Sequence, residues 1–169
     1  ATIEKAMMET LNQPMVGESD DSARLENEIE VVVHSAVDLP TREGRSKPSP
    51  YVHYQFLQFQ DAFTPVTRSS CDPTFEHVLS YPMATTTQAC ALLRTERLTF
   101  TVLDFQEENA SIGDADDALI GTCEVPLSLL SDGESVFSTA TLQSDTGREV
   151  GTLRVCVRWK HAFKQARTP

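Results

Sequence analysis

Short stretches of alternating hydrophobic and polar residues follow one another along most of the chain, with turn residues between them. This period of two, rich in β-branched and aromatic residues, is typical of strands buried on one face. Four residues of the last stretch share a face and are expected inside: Leu153, Val155, Val157 and Trp159. The pattern predicts about eight strands, which read I-E-V-V-V-H-S-A, Y-V-H-Y-Q-F-L-Q-F, T-P-V-T, F-E-H-V-L-S-Y-P, R-L-T-F-T-V-L-D, A-L-I-G-T-C-E-V-P, S-V-F-S-T-A-T-L and G-T-L-R-V-C-V-R-W.

The strand pattern predicts an all-β fold with one short helix. Tyr54 and Phe56 share one face of the second strand and are candidates for the buried side. Three residues of the fifth strand are likewise expected inside: Leu98, Phe100 and Val102. Residues 85–95 break the rhythm, and a threonine cap followed by Ala, Leu and Arg predicts a helix there. Short strands without internal repeats favour two antiparallel sheets packed as a Greek-key β-sandwich.

The first 28 residues differ from the rest of the chain. The segment Ile3–Leu11 has a weak helical face formed by Met7, Met8 and Leu11, and a polar, acidic stretch typical of a linker follows it. Two interpretations stay open for the segment: the tail of an upstream coiled coil, or a frayed arm. We therefore predict a linker or helical arm (1–28), a sandwich domain (29–163) and a tail (164–169).

The charge of the chain limits its partners. Its 169 residues have a net charge of −11 and a sequence pI near 4.7. A negative field of this size repels nucleic acid and anionic membrane unless a local basic patch overrides it. The densest basic stretch, from Lys160 to Arg167, is sparse. The sequence therefore predicts no nucleic-acid partner, and membrane binding is disfavoured.

The four cysteines stand far apart, at positions 71, 90, 123 and 156. No two have C-x-x-C spacing, so the sequence predicts no zinc site. Wide separation favours free thiols in a reducing compartment, with two disulfides as the alternative. The sequence contains neither a signal peptide nor an apolar run long enough to span a bilayer. We therefore expect a cytoplasmic protein, and nothing in the sequence calls for a cofactor.

Few residues suggest catalysis. Cys71 and His77 could act as a nucleophile and its base, but the sequence supplies no orienting partner or oxyanion hole. A turn near a sheet edge is the simpler explanation for both. His34 and His53 fall inside predicted strands and are expected to be face residues rather than metal ligands. Because G-x-S-x-G, P-loop, H-E-x-x-H and G-x-G-x-x-G motifs are absent from the sequence, we predict that the protein is not an enzyme.

Several motifs together resemble a C2 domain. V-V-V-H-S-A-V-D-L-P resembles the first strand and its exit into the first top loop, and S-P-Y-V-H-Y-Q-F resembles the strand after that loop. D-P-T-F-E-H resembles the turn into the fourth strand. L-T-F-T-V-L-D-F and A-L-I-G-T-C-E-V-P-L resemble the strands that enter and leave the third top loop. The resemblance covers residues 29–160 and implies an eight-stranded C2-type β-sandwich.

Two longer runs narrow the resemblance to one family. Y-Q-F-L-Q-F-Q-D-A-F-T-P-V-T-R-S-S-C-D-P-T-F and G-T-L-R-V-C-V-R-W-K-H-A-F are similar to C2 domains of the retinitis pigmentosa GTPase regulator-interacting protein family, and more like the second of these domains. The resemblance implies a cytoplasmic scaffold of the ciliary transition zone with N-terminal coiled coils. It also implies partners of the nephrocystin class. We expect the isolated domain to be a monomer.

The resemblance also locates the calcium loops. Calcium-binding C2 domains use about five aspartates on the first and third top loops, because several carboxylates are needed to offset dehydration of the ion. The corresponding positions here hold Glu43, Ser49, Asp104, Gln106 and Ala118, the last beside Asp116 and Asp117. Only Asp104 matches outright. Hydroxyl and amide oxygens bind Ca²⁺ much more weakly than carboxylates, so we expect no calcium binding.

The third top loop is nevertheless acidic, reading D-F-Q-E-E-N-A-S-I-G-D-A-D-D-A. Two interpretations stay open: an improvised cation site, or a solvated loop, which is the usual nature of a charge run. The spacing of its acids does not match an EF-hand.

The remaining surface is suited to protein contacts. The segment Q-F-L-Q-F-Q-D, where C2 domains have lysines, contains no Lys or Arg, which argues against membrane docking. If Tyr54 and Phe56 point inward, Leu57 and Phe59 point outward and form an apolar patch that we predict to bind a partner. Cover by the N-terminal arm and the opposite strand register are the alternatives.

The predicted function is calcium-independent protein–protein interaction. The alternatives are calcium- or phosphoinositide-dependent membrane targeting and a support domain of an enzyme.

Overall fold

Eight strands and one short helix form the part of the chain that the structure, a computed structural model, describes: residues 26–106 and 117–163. A helix α1 spans Thr87–Thr95, and a single 3-10 turn spans Ser128–Asp132. The strands are β1 (Glu28–Val37), β2 (Pro50–Tyr54), β3 (Ala62–Phe63), β4 (Thr74–Pro82), β5 (Arg97–Asp104), β6 (Ala118–Pro126), β7 (Val136–Gln143) and β8 (Glu149–Trp159).

The strands pair antiparallel in the spatial order β3-β2-β5-β6-β7-β8-β1-β4. Only one residue pair, Thr122 with Gln143, joins β6 to β7, whereas the other long neighbours pair over most of their length. The curled sheet therefore consists of two four-stranded halves linked at this weak junction. This confirms the predicted all-β, eight-stranded antiparallel fold.

Alternating side chains fill the core between the two halves. Tyr54, Phe56 and Phe100 are fully buried, and the inward residues of β8 that the pattern predicted are at most 7% exposed. Tyr81 from β4 packs on Phe56, with ring centroids 5.1 Å apart. Burial of this many large apolar groups is the main driving force for such a fold, at roughly 25 cal/mol per Å² of apolar surface.

Helix α1 begins as the sequence predicted. Its N-cap is Thr86, whose hydroxyl accepts a hydrogen bond from the backbone N–H of Ala89 at 3.0 Å. Such a cap satisfies one of the backbone donors that have no partner in the first turn. The helix buries Ala89, Cys90 and Leu93 against the rest of the protein. Among the described residues, none of the helices has both the length and the apolar character needed to cross a membrane.

The second predicted strand is too long. β2 ends at Tyr54, because Leu57 takes a positive φ of 51° and the N–H of Phe59 bonds to the carbonyl of Phe56 at 2.9 Å, which makes a turn. The expectation of strand alternation through Phe59 was therefore wrong. Leu57 and Phe59 are both half-buried and pack against the core instead of forming an outward face.

The third predicted strand, T-P-V-T, is also misplaced. β3 is the two-residue strand just before it, paired with His53 and Tyr54 of β2. Thr64 and Thr67 still bond to the carbonyls of Val52 and Pro50, but Pro65 between them has no N–H to donate. The ladder of backbone hydrogen bonds is therefore interrupted at Pro65.

All four cysteines are free thiols, and three of them are buried. Burial raises the pKa of Cys90 and of Cys123 to about 11, so both thiols are protonated near neutral pH. Neither is poised to act as a nucleophile or a metal ligand.

Candidate functional site at the top loops

Two loops at one end of the sheet bring the predicted calcium positions together. Pro50 of β2 lies opposite Asp104 at the end of β5, so Ser49 lies beside that carboxylate. The N–H of Phe105 donates to the carbonyl of Ser49 at 2.9 Å and extends the strand pairing into the loops. Asp117 marks the return into β6; loop residues 107–116 lie outside the described part of the chain.

The carboxylate of Asp104 is held by a cation from the first loop. Arg42 donates from Nε to Oδ2 at 2.8 Å and from Nη2 to Oδ1 at 2.7 Å, which is the paired geometry that a guanidinium and a carboxylate favour. The N–H of Ser49 donates a third bond, to Oδ1 at 2.9 Å. The side chain of Asp104 is 7% exposed and that of Arg42 is 32% exposed, so the pair is largely shielded from water.

Asp117 is the second buried carboxylate of the site. The hydroxyl of Tyr51 donates to its Oδ2 at 2.5 Å, and the N–H of Gln106 donates to its Oδ1 at 3.0 Å. Each oxygen thus accepts a hydrogen bond from a group fixed by β2 or by the end of β5. Asp117 therefore links Tyr51 of β2 to Gln106, which follows β5.

The two positions that replace aspartates are used in local hydrogen bonds. Ser49 is 4% exposed, and its hydroxyl accepts from the N–H of Ser69 at 3.2 Å. The amide of Gln106 donates from Nε2 to the carbonyl of Asp104 at 3.0 Å. Ser49 therefore joins its loop to the segment around Ser69, whereas the bond of Gln106 is local to its own segment.

Glu43 lies apart from this network and is exposed. It borders an open cavity of about 490 Å³ that Asp104 and Gln106 also line. The other acids of the predicted acidic loop lie outside the described residues: Glu107, Glu108, Asp114 and Asp116. Within the ranges 26–106 and 117–163, no cluster of three or more His, Cys, Asp or Glu side chains is arranged to hold a metal ion.

Sequence reasoning missed Arg42. It belongs to the first-loop stretch T-R-E-G-R, and its partner Asp104 is 62 residues away along the chain. The signal was a basic residue in a loop that, in a calcium-binding domain, concentrates acids. A cation placed there is attracted to a buried carboxylate such as that of Asp104.

Two of the histidines lie on strand faces, as the sequence predicted. His34 Nδ1 lies 2.8 Å from the hydroxyl of Ser35, and His53 Nε2 lies 3.4 Å from a carboxylate oxygen of Asp61, as expected for strand-face residues. Burial lowers the pKa of His77. No hydrogen bond joins it to Cys71 among the described residues, so no nucleophile and base are assembled there.

The predicted partner-binding pair, Leu57 and Phe59, lies in the turn after β2. The ring of Phe59 packs on Phe56 and on Tyr81, at centroid distances of 5.9 and 4.9 Å. Each residue is half-buried, so part of each side chain remains accessible. Their role in partner binding stays a prediction.

The fold and these loops define a class of protein. Residues 27–142 match the sequence profile of the C2 domain, and the chain belongs to that family. As the sequence resemblance predicted, a similar relative is X-linked retinitis pigmentosa GTPase regulator-interacting protein 1 from Bos taurus, 29% identical over 138 residues. The match covers 82% of this chain and 11% of the bovine protein, so the chain spans only a small part of that relative.

Solved structures support the fold. A C2 domain of plant Extended Synaptotagmin 1 superposes with a TM-score of 0.60 at 18% identity, covering 85% of this chain and 99% of that one. A structure of CC2D1B gives a TM-score of 0.65 at 21% identity, covering 83% and 57%. Human GIVD cytosolic phospholipase A2 gives 0.57 at 18% identity, covering 82% and 17%. At these identities the likeness concerns the fold alone.

Proposed function

We propose that the chain is a non-catalytic, calcium-independent C2 domain that acts as a protein–protein interaction module of a ciliary transition-zone or basal-body scaffold. The observation that carries this proposal is the ion pair between Arg42 and Asp104. It places a cation of the protein itself on the acid that a calcium-binding C2 domain would offer to the metal.

Calcium coordination competes directly with this ion pair. Ca²⁺ takes about six to eight oxygen ligands, several of them carboxylate oxygens. Both oxygens of Asp104 already accept bonds from Arg42, and those of Asp117 accept bonds from Tyr51 and Gln106. A calcium ion would have to displace a charged donor and would be repelled by it while it stayed. The network therefore favours top loops that fold without metal.

The ciliary part of the proposal rests on the relative. The bovine protein is named for its interaction with X-linked retinitis pigmentosa GTPase regulator. By analogy, the partners proposed for this chain are transition-zone proteins, including the nephrocystin class, and its proposed location is the cytoplasm at the base of the cilium. The acidic net charge of −11 supports a protein partner over nucleic acid or an anionic membrane.

Calorimetric titration with Ca²⁺, together with sedimentation with phosphatidylserine vesicles with and without Ca²⁺, tests the calcium and membrane parts. We expect no binding heat at micromolar to millimolar Ca²⁺ and no vesicle-dependent sedimentation. Asp104→Asn should behave like the unmodified chain in both assays, because Asp104 is engaged by Arg42 rather than by a metal.

A micromolar calcium site that is lost in Asp104→Asn would contradict the proposal and favour a calcium-dependent membrane-targeting domain. If the chain sediments with the vesicles without Ca²⁺, and Asp104→Asn does so too, phosphoinositide or lipid targeting would be favoured. Glu124→Gln is the matched control for handling and charge, because it also removes one negative charge and Glu124 is an exposed residue of β6 opposite Thr99, away from Asp104.

A further inference from the structure

An apolar row crosses the outer face of the half-sheet β7-β8-β1-β4. The strand register places Phe137 opposite Cys156, Cys156 opposite Val32 and Val32 opposite Val78. These four residues, named here the apolar row, point away from the core, because their neighbours in each strand point inward. Phe137 is 76% exposed and Val78 is 47% exposed. Between them, Val32 is half-buried and Cys156 is 7% exposed, so the exposed apolar surface lies mainly at the two ends of the row. Exposed apolar side chains gathered on one sheet face commonly mark an interaction site.

Two arginines flank the row on β8. Arg154 and Arg158 lie two residues before and after Cys156, and so share its face. Arg158 donates to Glu30 at 2.9 Å, which leaves that flank neutral. Arg154 is exposed, lies opposite Ser35 and Thr139, and forms no ion pair within the described part of the chain. The face therefore combines an apolar row with an available cation on β8 and one exposed acid, Glu76, two residues before Val78 on β4, on a protein whose net charge is −11.

We propose that the apolar row binds an acidic, amphipathic helix of a partner protein. The proposal rests on the protein-interaction function above and adds the binding face and the chemistry of the partner. An acidic segment is repelled by most of this molecule but attracted where Arg154 stands beside apolar surface. The apolar ridge of the helix covers the exposed ring of Phe137, and its acidic flank faces Arg154.

The spacing of the row fits a helix that lies across the strands. Neighbouring strands are about 4.8 Å apart, so the row is roughly 14 Å long from Val78 to Phe137. Successive turns of a helix rise about 5.4 Å, so side chains at i, i+4 and i+7 meet neighbouring strands along the row. Arg154 lies two strand residues from the row, roughly 7 Å away, where an acid beside the apolar ridge reaches it.

The probe is a synthetic helical peptide with Leu at i, i+4 and i+7 and Glu on both sides of that ridge. Its binding to the full chain is measured by fluorescence anisotropy at low and high salt. A second peptide keeps the Leu ridge and replaces each Glu with Lys. We expect saturable binding of the acidic peptide, at least tenfold weaker binding of the basic one, and weaker binding of the acidic peptide in high salt.

Variants locate the site. Phe137→Thr and Val78→Thr keep β-propensity while removing apolar surface, and Phe137→Thr should weaken binding about tenfold or more, as expected for an aromatic anchor. Arg154→Glu should weaken binding of the acidic peptide and strengthen binding of the basic peptide. Val37→Thr is the matched control for Val78→Thr, because Val37 is 44% exposed but lies outside the row. It should leave binding unchanged.

Other occupants give different results. If the chain dimerises in sedimentation equilibrium and Phe137→Thr abolishes the dimer, the proposal is overturned in favour of a second copy of this chain. If the chain binds phosphatidylserine vesicles and Phe137→Thr abolishes that binding, the proposal is overturned in favour of a membrane. Failure of both peptides to bind, or equal binding by Phe137→Thr, would also overturn it. These results are independent of the calcium titration, which tests the function on which the proposal rests.

Discussion

Arg42 joins the first top loop to the end of β5 through one carboxylate. Its guanidinium takes up both oxygens of Asp104 and reaches the carbonyl of Phe105 at 3.3 Å. Asp104 is the only predicted calcium position with a matching acid, and its partner neutralises it. An internal ion pair therefore connects the two loops.

Removing Arg42 should cost stability. In Arg42→Gln the 7%-exposed side chain of Asp104 loses its cationic partner, and we expect the free energy of unfolding to fall by about 1–2 kcal/mol, discounted for the exposure of Arg42. Urea unfolding checks this. Arg97→Gln breaks an exposed pair with Glu124 at 3.5 Å and should cost under about 0.5 kcal/mol. Equal losses in the two variants would show that the pair contributes no more than an ordinary surface contact.

At the scale of elements, alternation predicted the long strands well because their inward residues meet a common core. β5, β6 and β8 appear where the pattern placed them, with Leu98 and Val157 at most 1% exposed. The end of β2 was not predicted, because the apolar pattern continues through the turn at Leu57, where Phe59 packs on Tyr81, a residue distant in sequence. Because apolar residues keep alternating into this turn, the pattern predicted that Leu57 and Phe59 point outward, whereas both pack against the core.

The candidate site was predictable only in part. Local motifs located Ser49, Asp104 and Gln106 in the top loops, and the register of β2 with β5 brings the first two together. The role of Arg42 depends on a side-chain contact across 62 residues, which no local pattern encodes. The apolar row likewise becomes visible only when the registers of four strands are known.

The cap of helix α1 gives an element-scale prediction. Thr86→Ala removes the acceptor for the N–H of Ala89 in a fully buried setting, so we expect a loss of about 1 kcal/mol in the free energy of unfolding. Thr87→Ala, one residue later and exposed, removes the same atoms without removing the cap and should change stability little. Thr86→Ser should restore most of the loss. If Thr86→Ser is as unstable as Thr86→Ala, the methyl group matters and the cap does not.

At the scale of the whole molecule, the two sheet halves enclose a core that excludes charge. The described ion pairs lie at its margins, as with Lys160 and Glu28 at 3.7 Å, where both side chains are partly exposed. His77 is half-buried and lies on the inward-facing side of β4 opposite Val33. Its Nδ1 is buried and has no hydrogen-bond partner among the described residues. Protonation of the His77 ring would add a positive charge to the folded protein, and Nδ1 would have no hydrogen-bond acceptor for its proton.

We therefore expect the stability of the domain to fall in mild acid. Burial lowers the pKa of His77 below its usual 6.5, so the unfolded chain binds a proton more readily than the folded one. The contribution of neutral His77 is complete above about pH 6.5 and is lost as the pH falls from there through the lowered pKa of the folded state. Unfolding free energies of the unmodified chain and of His77→Gln, measured from pH 7.5 to pH 5, should therefore change in the variant's favour towards acid. His161→Gln, which removes an exposed imidazole, should keep the acid sensitivity. A constant difference between the unmodified chain and His77→Gln across this range would mean that His77 titrates alike in both states, and that the core tolerates the charge.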